Sequence, residues 1–322
     1  MKRYDVAGLG ELLIDLTQNE MSEQGNPMLE ANPGGAPCNV LALLQKLGHS
    51  TAFIGKVGRD GFGSQLEAAL KETGISTEGL RWDENIHTTL AVVHTLPGGD
   101  RDFSFYRNPG ADMRLTVEEL DEDIIQNCKI FHFGTLSMTD EPVRSATYRA
   151  IRVAEEGGVL RSFDPNLRIP LWQSLDAAKE QILYGMAHCD ILKISDNEIQ
   201  WLTGLEDFDQ GIAWIQEHFP EIRLILLSMG KDGSRAYCGK TYAEVKSFAV
   251  NTIETTGAGD TFFAGILHHV LAWGLGNYTV QQLKEMLTFA NAAAAIVTTR
   301  KGALRVMPSE QEILDLMEQA EQ

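Results

Sequence analysis

The protein carries little positive charge. Among 322 residues, 27 Lys and Arg stand against 45 Asp and Glu, so the formal net charge is 27 − 45 = −18. Adjacent cations form no run longer than Lys2-Arg3 or Arg300-Lys301. Nucleic acid backbones and anionic membrane surfaces are bound through clustered cations. The composition therefore argues against nucleic acids and membranes as partners.

Cysteine and long apolar runs are also scarce. The four cysteines, Cys38, Cys128, Cys189 and Cys238, lie far apart and form no Cys-x-x-Cys pair. No histidines stand at the spacing of zinc ligands. No apolar run approaches the 18 residues of a membrane-spanning helix, and the N-terminal segment lacks a signal-peptide pattern. We expect a reduced cytoplasmic protein without a structural metal.

The common glycine-rich nucleotide motifs are incomplete. Gly8-Leu9-Gly10 and Gly257-Ala258-Gly259 each begin a dinucleotide fingerprint, but Leu13 and Phe262 occupy the third glycine position. Gly230-Lys231 is followed by Asp232 and has no glycine five residues upstream, so a Walker A loop is missing. These gaps argue against a dinucleotide-dependent oxidoreductase, and any use of ATP must proceed without a P-loop.

Short apolar runs alternate with amphipathic helical stretches along most of the chain. The runs are Val6–Leu9, Ala52–Val57, Ile130–Phe133, Val159–Phe163, Ile191–Ile194 and Leu224–Ser228. Strands that are apolar on both faces and separated by helices indicate a parallel sheet covered on each side. We predict a doubly wound α/β fold with a mainly parallel sheet and helices on both faces, forming one main domain over residues 1–322.

Two segments interrupt this alternation. Thr17–Asn32 is polar and irregular, whereas Thr88–Arg107 is typical of a hairpin that turns at Pro97-Gly98-Gly99-Asp100. Its alternating residues Leu90, Val92, Phe103 and Phe105 are predicted to form one apolar face. We expect residues of about 17–32 and 88–114 to form a small antiparallel β lid, with two separate surface excursions as the alternative.

The most informative motif is Glu254-Thr255-Thr256-Gly257-Ala258-Gly259-Asp260, which leads into an apolar helix running to about Trp273. Small residues at a helix start leave the first backbone N–H groups bare, and such an end binds anions, phosphate in particular. Asp260 lies in this first turn, where a capping role is the alternative. A carboxylate beside an anion site repels phosphate, so we assign it the role of a proton acceptor for an attacking hydroxyl.

Two further segments carry polar groups suited to a small ligand. Asn32-Pro33-Gly34-Gly35-Ala36-Pro37-Cys38-Asn39 precedes a helix, and its glycines allow close approach to the backbone. Asp15 follows an apolar run, and ligands of α/β sheets gather beyond the carboxyl ends of strands. Hydroxyls can bond to Asn39 and Asp15, but an ordinary loop and a solvated strand end remain the alternatives.

Together these segments resemble the ribokinase-like carbohydrate kinase family, also called the PfkB family, over nearly the whole chain. Both family signatures are recognisable, in Gly34–Asn39 with Gly48 and Gly58 downstream and in the highly specific Thr255–Asp260. Four other segments are most similar to the fructokinase branch: Gly10–Asp15, Phe53–Gly58, Phe105–Met113 and Asp164–Trp172. The resemblance implies ATP, Mg²⁺ and transfer of the γ-phosphate to the 6-hydroxyl of fructose.

The resemblance also implies roles for single residues around the sugar. Asp260 matches the catalytic base, and the backbone of Gly257, Ala258 and Gly259 matches the anion hole. The matching sugar-binding positions are Asp15, Gly34, Gly35 and Asn39. Further candidates for sugar contacts are Phe105, Arg107 and Arg168.

On the nucleotide side, the resemblance assigns Asn166 to the phosphates and the turn with Ser228, Gly230 and Gly233 to nucleotide phosphate and ribose. Lys193 is assigned to the nucleotide site, and Asn291 to the helix that borders the adenine; an ordinary strand-end turn and a helical surface Asn are the alternatives.

Two departures from the family pattern concern cations. Ser195-Asp196-Asn197-Glu198 keeps the Glu of the magnesium element but has Ser195 in place of its Asn, so Glu198 is expected to hold Mg²⁺ through water. Glu254 stands where the family usually has Asp, near a site that binds a monovalent cation in some relatives. Dependence on a cation such as K⁺ therefore stays open.

The main alternative within this chemistry is a 2-keto-3-deoxygluconate kinase, whose substrate carboxylate calls for a cation such as Arg107 or Arg168. A sugar-binding regulator without catalysis is the alternative from another class, but Asp260 and the glycines of the anion hole are intact. The apolar lid face also needs a partner surface, either the closed site or the lid of a second subunit, and we expect a homodimer.

Overall fold

Thirteen strands form two sheets in the described residues, 2–95 and 101–321 of this computed structural model. The strands are β1 Tyr4–Leu9, β2 Leu13–Met21, β3 Pro27–Gly34, β4 Thr51–Gly58, β5 Ser76–Asp83, β6 Leu90–Thr95, β7 Arg101–Tyr106, β8 Cys128–Gly134, β9 Leu160–Asp164, β10 Ile191–Ser195, β11 Leu224–Ser228, β12 Ser234–Cys238 and β13 Thr241–Val245. The helices are α1 Ala36–Lys46, α2 Gly61–Thr73, α3 Glu122–Gln126, α4 Val143–Glu156, α5 Leu175–Ala187, α6 Asp196–Thr203, α7 Phe208–His218, α8 Ala258–Trp273, α9 Val280–Thr298 and α10 Glu310–Glu321.

The nine-stranded main sheet has the order β13-β12-β11-β10-β9-β8-β1-β4-β5 and is parallel except where β12 and β13 join it. Helices cover both faces: α1, α8 and α9 pack in one apolar core and α4, α5 and α7 in the other. Along β1, Val6 belongs to the first core and Ala7 to the second. The predicted doubly wound α/β fold is confirmed, and each of the six apolar runs lies in or overlaps a strand.

Strands β5, β12 and β13 have no counterpart among the predicted runs. Strands β5 and β13 are the two edges of the sheet and β12 lies next to β13; β12 alternates between buried and half-buried residues. Strands at or next to a sheet edge that have one more exposed face carry no continuous apolar run, so the apolar pattern of the sequence does not predict them.

The second sheet has four strands in the order β3-β2-β6-β7. Its outer pairs, β2–β3 and β6–β7, are antiparallel, whereas its central pair, β2–β6, is parallel. The segment expected to be irregular, 17–32, lies largely in β2 and β3. The hairpin β6–β7 is confirmed, although its predicted turn, Pro97-Gly98-Gly99-Asp100, lies outside the described residues.

The predicted apolar face of this hairpin is wrong. Ala91 pairs with Phe105 and Leu90 pairs with Tyr106, so Leu90 and Phe105 lie on opposite faces. The error arises because residues on one face of an antiparallel pair are set by the register across the strands, which alternation within each strand does not reveal.

Helix ends follow the expected signals. Gly74 caps α2 with φ 89°, in the left-handed region that favours glycine. Ser309 and Glu312 exchange hydrogen bonds at the start of α10 and so form a capping box. Within the described part of the chain, no helix combines the length and hydropathy needed to cross a membrane.

Candidate active site

Two cavities meet at the N-terminus of α8. A cavity of about 620 Å³ extends over β11, α9 and the 247–252 segment, and one of about 560 Å³ lies between the main sheet and the small sheet. Thr255 and Gly259 line both cavities. A group bound in one cavity therefore reaches a group bound in the other across the start of this helix.

The start of α8 has the features of an anion site. Gly257 is the N-cap residue with φ 75°, and no side chain caps the helix there. A Cβ atom on Gly257 would lie 2.7 Å from Cβ of Ala303, and one on Gly259 would lie 3.2 Å from Nζ of Lys193. Both glycines thus keep this end bare and allow close packing, which supports the predicted phosphate-binding role.

Asp260 follows these glycines and is buried at 8% exposure. Its Oδ2 accepts a hydrogen bond of 2.8 Å from Nδ2 of Asn39, which α1 carries to the site. Burial raises the pKa of Asp260, while the Asn39 hydrogen bond and the charges of Lys193 and Arg168 oppose that rise. The carboxylate is positioned and partly desolvated, and no side-chain cap forms at this helix end.

Sugar-site candidates surround Asp260 on the side of the small sheet. Asp15, Gly35, Asn39, Phe105 and Arg168 all line the smaller cavity. Asn39 is 3% exposed, and its buried Oδ1 has no hydrogen-bond partner in the described residues. A buried oxygen without a partner is costly, so this atom is available to accept a hydrogen bond from a ligand.

Gly34 lies behind the residues that line the smaller cavity. It does not line the cavity, but a Cβ atom on it would lie 2.3 Å from Oδ2 of Asp15. The glycine therefore makes room for the Asp15 carboxylate.

The structure does not bring Arg107 to the cavity wall. Its Nε donates to Oδ2 of Asp112 at 2.7 Å, Nη1 donates to Thr139 Oγ1 at 2.9 Å, and Nη2 donates to the Leu136 carbonyl at 2.8 Å. The Arg107 and Asp112 side chains are each 2% exposed. The expectation of a direct sugar contact through Arg107 is therefore not supported, because its donors are engaged inside the protein.

Glu11 lines the sugar-side cavity and was missed as a site residue, although it lies in the quoted Gly10–Asp15 motif. Its Oε1 accepts a 2.8 Å hydrogen bond from the Ala36 N–H at the start of α1. Burial raises the pKa of Glu11 to about 7; the Asp112 charge adds to the rise, and the Ala36 N–H and Arg107 oppose it. Asn197, Leu13 and Thr256 also line this cavity and were missed.

A buried ion pair lies beneath the anion site. Lys193 Nζ is 3.0 and 3.1 Å from the two carboxylate oxygens of Asp164. Burial opposes the charge of Lys193, but Asp164 and Glu198 raise its pKa, so the amine stays protonated. Asn166 is next to this pair with φ 43°, the one non-glycine residue with positive φ in the described residues. Lys193 and Asn166 both line the smaller cavity rather than the larger one.

Glu198 lies at the start of α6, where it forms a capping box with Ser195. Its Oε1 accepts the Leu167 N–H at 2.8 Å, and these backbone bonds and the Lys193 charge lower its pKa although burial opposes them. The described residues hold no group of three His, Cys, Asp or Glu side chains that could enclose a metal. Mg²⁺ commonly binds through one or two carboxylates, waters and substrate phosphates, so Glu198 fits a water-mediated contact.

The nucleotide-side candidates line the larger cavity. Ser228, Gly230, Gly233 and Asn291 all face it. Asn291 is buried rather than on the surface: its Oδ1 accepts from Ser234 and its Nδ2 donates to the carbonyls of Val245 and Lys246. It fixes the cavity wall through the protein backbone. The apolar lining from Phe248, Val250 and Ala294 was missed, because single apolar residues in a loop and a helix carry no sequence signal.

The chain is similar in sequence to known proteins over most of its length. Residues 4–310 match the model of the pfkB family carbohydrate kinases. Fructokinase-2 of Solanum lycopersicum is 41% identical over 314 residues, covering 97% of this chain and 95% of that protein. Fructokinase-1 of Zea mays is 39% identical over 317 residues, covering 98% of each chain.

Solved structures show the same likeness. Fructokinase with bound ATP from Xylella fastidiosa superposes with a TM-score of 0.89 at 28% identity, covering 99% of this chain and 100% of that one. A double mutant of fructokinase from Vibrio cholerae O395, in a fructose, ADP and potassium ion bound form, has a TM-score of 0.88 at 27% identity over 98% and 99% of the two chains.

Proposed function

Because this chain belongs to the pfkB family of carbohydrate kinases, we propose that it transfers the γ-phosphate of ATP to the 6-hydroxyl of fructose. The observation that carries the proposal is the meeting of two cavities at the bare N-terminus of α8, beside the buried Asp260. Fructokinase relatives at about 40% identity support fructose as the acceptor.

In this proposal Asp15, Gly35 and Asn39 hold the sugar, with its 6-hydroxyl toward Asp260. Asp260 accepts the hydroxyl proton as the oxygen attacks the γ-phosphorus in line. The N–H groups at the start of α8 and the charge of Arg168 stabilise the negative charge on the transferring phosphoryl group. Phe105 and the rest of the small sheet exclude water from the same phosphate.

On the nucleotide side, the larger cavity receives ATP, with Ser228, Gly230 and Gly233 near its phosphates and ribose and the wall fixed by Asn291 near its base. Lys193 and Asn166 lie toward the phosphates. Glu198 would hold Mg²⁺ through water, and Mg²⁺ bound with ATP neutralises charge on the phosphates.

The test measures ADP release with ATP and a panel of sugars, together with the position of the phosphate in the product by ³¹P and ¹³C NMR. We expect the highest kcat/KM with fructose and a product phosphorylated on O6. A product phosphorylated on O1, or a better neutral acceptor, would contradict the proposal. Comparing the rate of ADP release in KCl with that in choline chloride measures the dependence on K⁺.

A 2-keto-3-deoxygluconate kinase is the second candidate, since Arg168 places a cation in the sugar-side cavity. A higher kcat/KM with 2-keto-3-deoxygluconate than with fructose would favour it. A regulator that binds sugar without catalysis would release no ADP in either case.

We also propose a homodimer that forms through the small sheet. Leu29 and Tyr106 are 46% and 66% exposed, and the register puts both on the face opposite Asp15 and Phe105. Sedimentation equilibrium should give 2 × 35.6 = 71.2 kDa, and Tyr106→Glu should give monomers. A wild-type mass of one chain would refute the dimer.

The proposed location is the cytoplasm. All four cysteines are buried and unpaired, as a reducing compartment allows.

A further inference from the structure

Arg107 lies directly behind the wall of the sugar-side cavity. It donates to the carbonyl oxygen of Leu136, and Leu136 lines that cavity. The Arg107 charge also acts on Glu11, which lines the same cavity. The guanidinium is therefore one layer away from the space assigned to the sugar.

Asp112 cancels this charge. Its Oδ2 accepts from Arg107 Nε at 2.7 Å, and its Oδ1 accepts from the hydroxyl of Thr89. Because both side chains are 2% exposed, solvent screens them little, and an unpaired charge here would act on the cavity across the Leu136 layer. As a pair, the two groups add no net charge behind the wall.

The charged side chains that line the cavity itself disfavour an acceptor that carries a carboxylate. Glu11, Asp15 and Asp260 bring three acidic groups. Of the two cations in the described lining, Lys193 is paired with Asp164, and Arg168 is close enough to Asp260 to lower its pKa. An acceptor with a carboxylate at the Glu11 end thus meets acidic side chains, and the charge of Arg107 behind the wall is neutralised by Asp112.

We propose that Asp112 is a specificity-determining residue: by neutralising Arg107, it makes the sugar-side cavity select uncharged sugars over sugar acids. The inference rests on the proposed function, because it concerns the acceptor of the same phosphoryl transfer. Asp112 does not touch the acceptor and acts only through the charge of Arg107.

The experiment compares D-fructose with 2-keto-3-deoxygluconate as acceptors for wild type and Asp112→Asn. Asn keeps one oxygen to accept from Arg107 Nε, and its amide NH2 can donate to the Thr89 hydroxyl. The guanidinium is then uncompensated, while Thr139 and the Leu136 carbonyl still hold it in place. We expect the acid-to-neutral ratio of kcat/KM to rise about tenfold or more, through a lower KM for the acid, since a unit charge at low effective dielectric has at least that effect. The kcat for fructose should change by less than about threefold.

The freed charge also acts on Glu11, whose pKa it lowers, and an ionised Glu11 offsets part of the gain. The comparison is therefore repeated in a Glu11→Gln background, where the Ala36 N–H keeps its acceptor. In that background the rise in the ratio should be larger.

Two controls separate charge from structure. Thr139→Val removes a neutral acceptor from the same guanidinium and should leave the ratio within about twofold of wild type. Arg107→Met/Asp112→Leu replaces the buried pair with apolar groups, a change often tolerated in stability, and should keep the wild-type ratio because the net charge is again zero. If Asp112→Asn does not fold, Arg107→Gln gives the opposite test: it leaves Asp112 uncompensated and should weaken inhibition of fructose phosphorylation by D-gluconate about tenfold.

An unchanged acid-to-neutral ratio in folded Asp112→Asn, or an equal rise in Thr139→Val, would overturn the inference. If wild type fails to phosphorylate fructose at all, the proposed function fails instead. The two failures are therefore distinguishable.

Discussion

At the scale of single residues, Asp260 meets two opposing demands. As the proposed proton acceptor it must ionise at neutral pH, yet burial raises its pKa because a charge is unfavourable away from water. Asn39 offsets this effect with a hydrogen bond to the carboxylate. A folded-state pKa above the unfolded value means that stability present below the unfolded pKa is lost as the pH rises through the folded pKa. At neutral pH the ionised base therefore costs stability.

Asp260→Asn tests this conflict. The amide keeps the size of the carboxylate and can still bond to Asn39, but it cannot accept the proton. We expect kcat for fructose to fall by about 10²–10⁴, with little change in fructose affinity by calorimetry. The Tm at pH 7 should equal or exceed that of wild type, because the buried charge is gone.

The control is Asp176→Asn, the same change at an exposed carboxylate in the first turn of α5. It should leave kcat unchanged. Near wild-type kcat in Asp260→Asn would show that the residue is not the base.

At the scale of elements, the N-terminus of α8 stays open because Gly257 and Gly259 have no side chains there. A larger residue at position 259 would point toward Nζ of Lys193, 3.2 Å from its Cβ. It would also crowd the N–H groups that we assign to the phosphates.

Gly259→Val should therefore raise the KM for ATP about tenfold or more, with a smaller effect on fructose affinity. Gly61→Val is the matched control, because Gly61 also lies in a first helical turn but has nothing within 4 Å of its Cβ position. Equal losses of ATP and fructose binding in Gly259→Val would indicate a folding defect and contradict the phosphate assignment.

The small sheet brings Phe105 from β7 to the sugar-side cavity. Phe105→Ala should raise the KM for fructose and the ratio of ATP hydrolysis to sugar phosphorylation, because water gains access to the γ-phosphate. Both quantities are measured by comparing ADP with sugar phosphate released. Val92→Ala, on the opposite face of β6, should change neither. A folded Phe105→Ala with unchanged values would mean that this sheet is not a lid.

These elements also define how far the sequence could predict the molecule. Val6–Leu9 and Leu224–Ser228 were recognisable as strands because both faces are buried, and Gly257–Asp260 as a helix start because small residues precede a long apolar stretch. The Arg107–Asp112 pair and the hydrogen bond between Asn39 and Asp260 were not recognisable as contacts. They depend on which side chains meet after folding, in the second case across 221 residues of sequence, and no local pattern records that.

At the scale of the whole molecule, buried titratable groups act on stability in opposite directions. Glu11, Asp164 and Asp260 have raised pKa values, so their contribution increases as the pH falls from 7. His268 acts in the other direction. Burial, with His269 and His49 nearby, lowers its pKa to about 4, and its Nδ1 is 2.9 Å from Nε2 of His49. The pKa values of His49, His132 and His269 are also lowered by burial, so the pH dependence of wild-type Tm is the sum of opposing contributions from several groups.

A variant isolates the contribution of His268. Between pH 6.5 and 4 the unfolded chain binds a proton at this residue that the folded chain does not, so the stability that neutral His268 supplies is lost as the pH falls. The difference in Tm between wild type and His268→Gln, measured by scanning calorimetry, should therefore narrow from pH 7 to pH 5. If the difference in Tm between wild type and His268→Gln stays constant or widens toward pH 5, the folded protein does not disfavour protonation of His268. The contact between His268 on α8 and His49, just before β4, then does not stabilise the fold in the way that its geometry indicates.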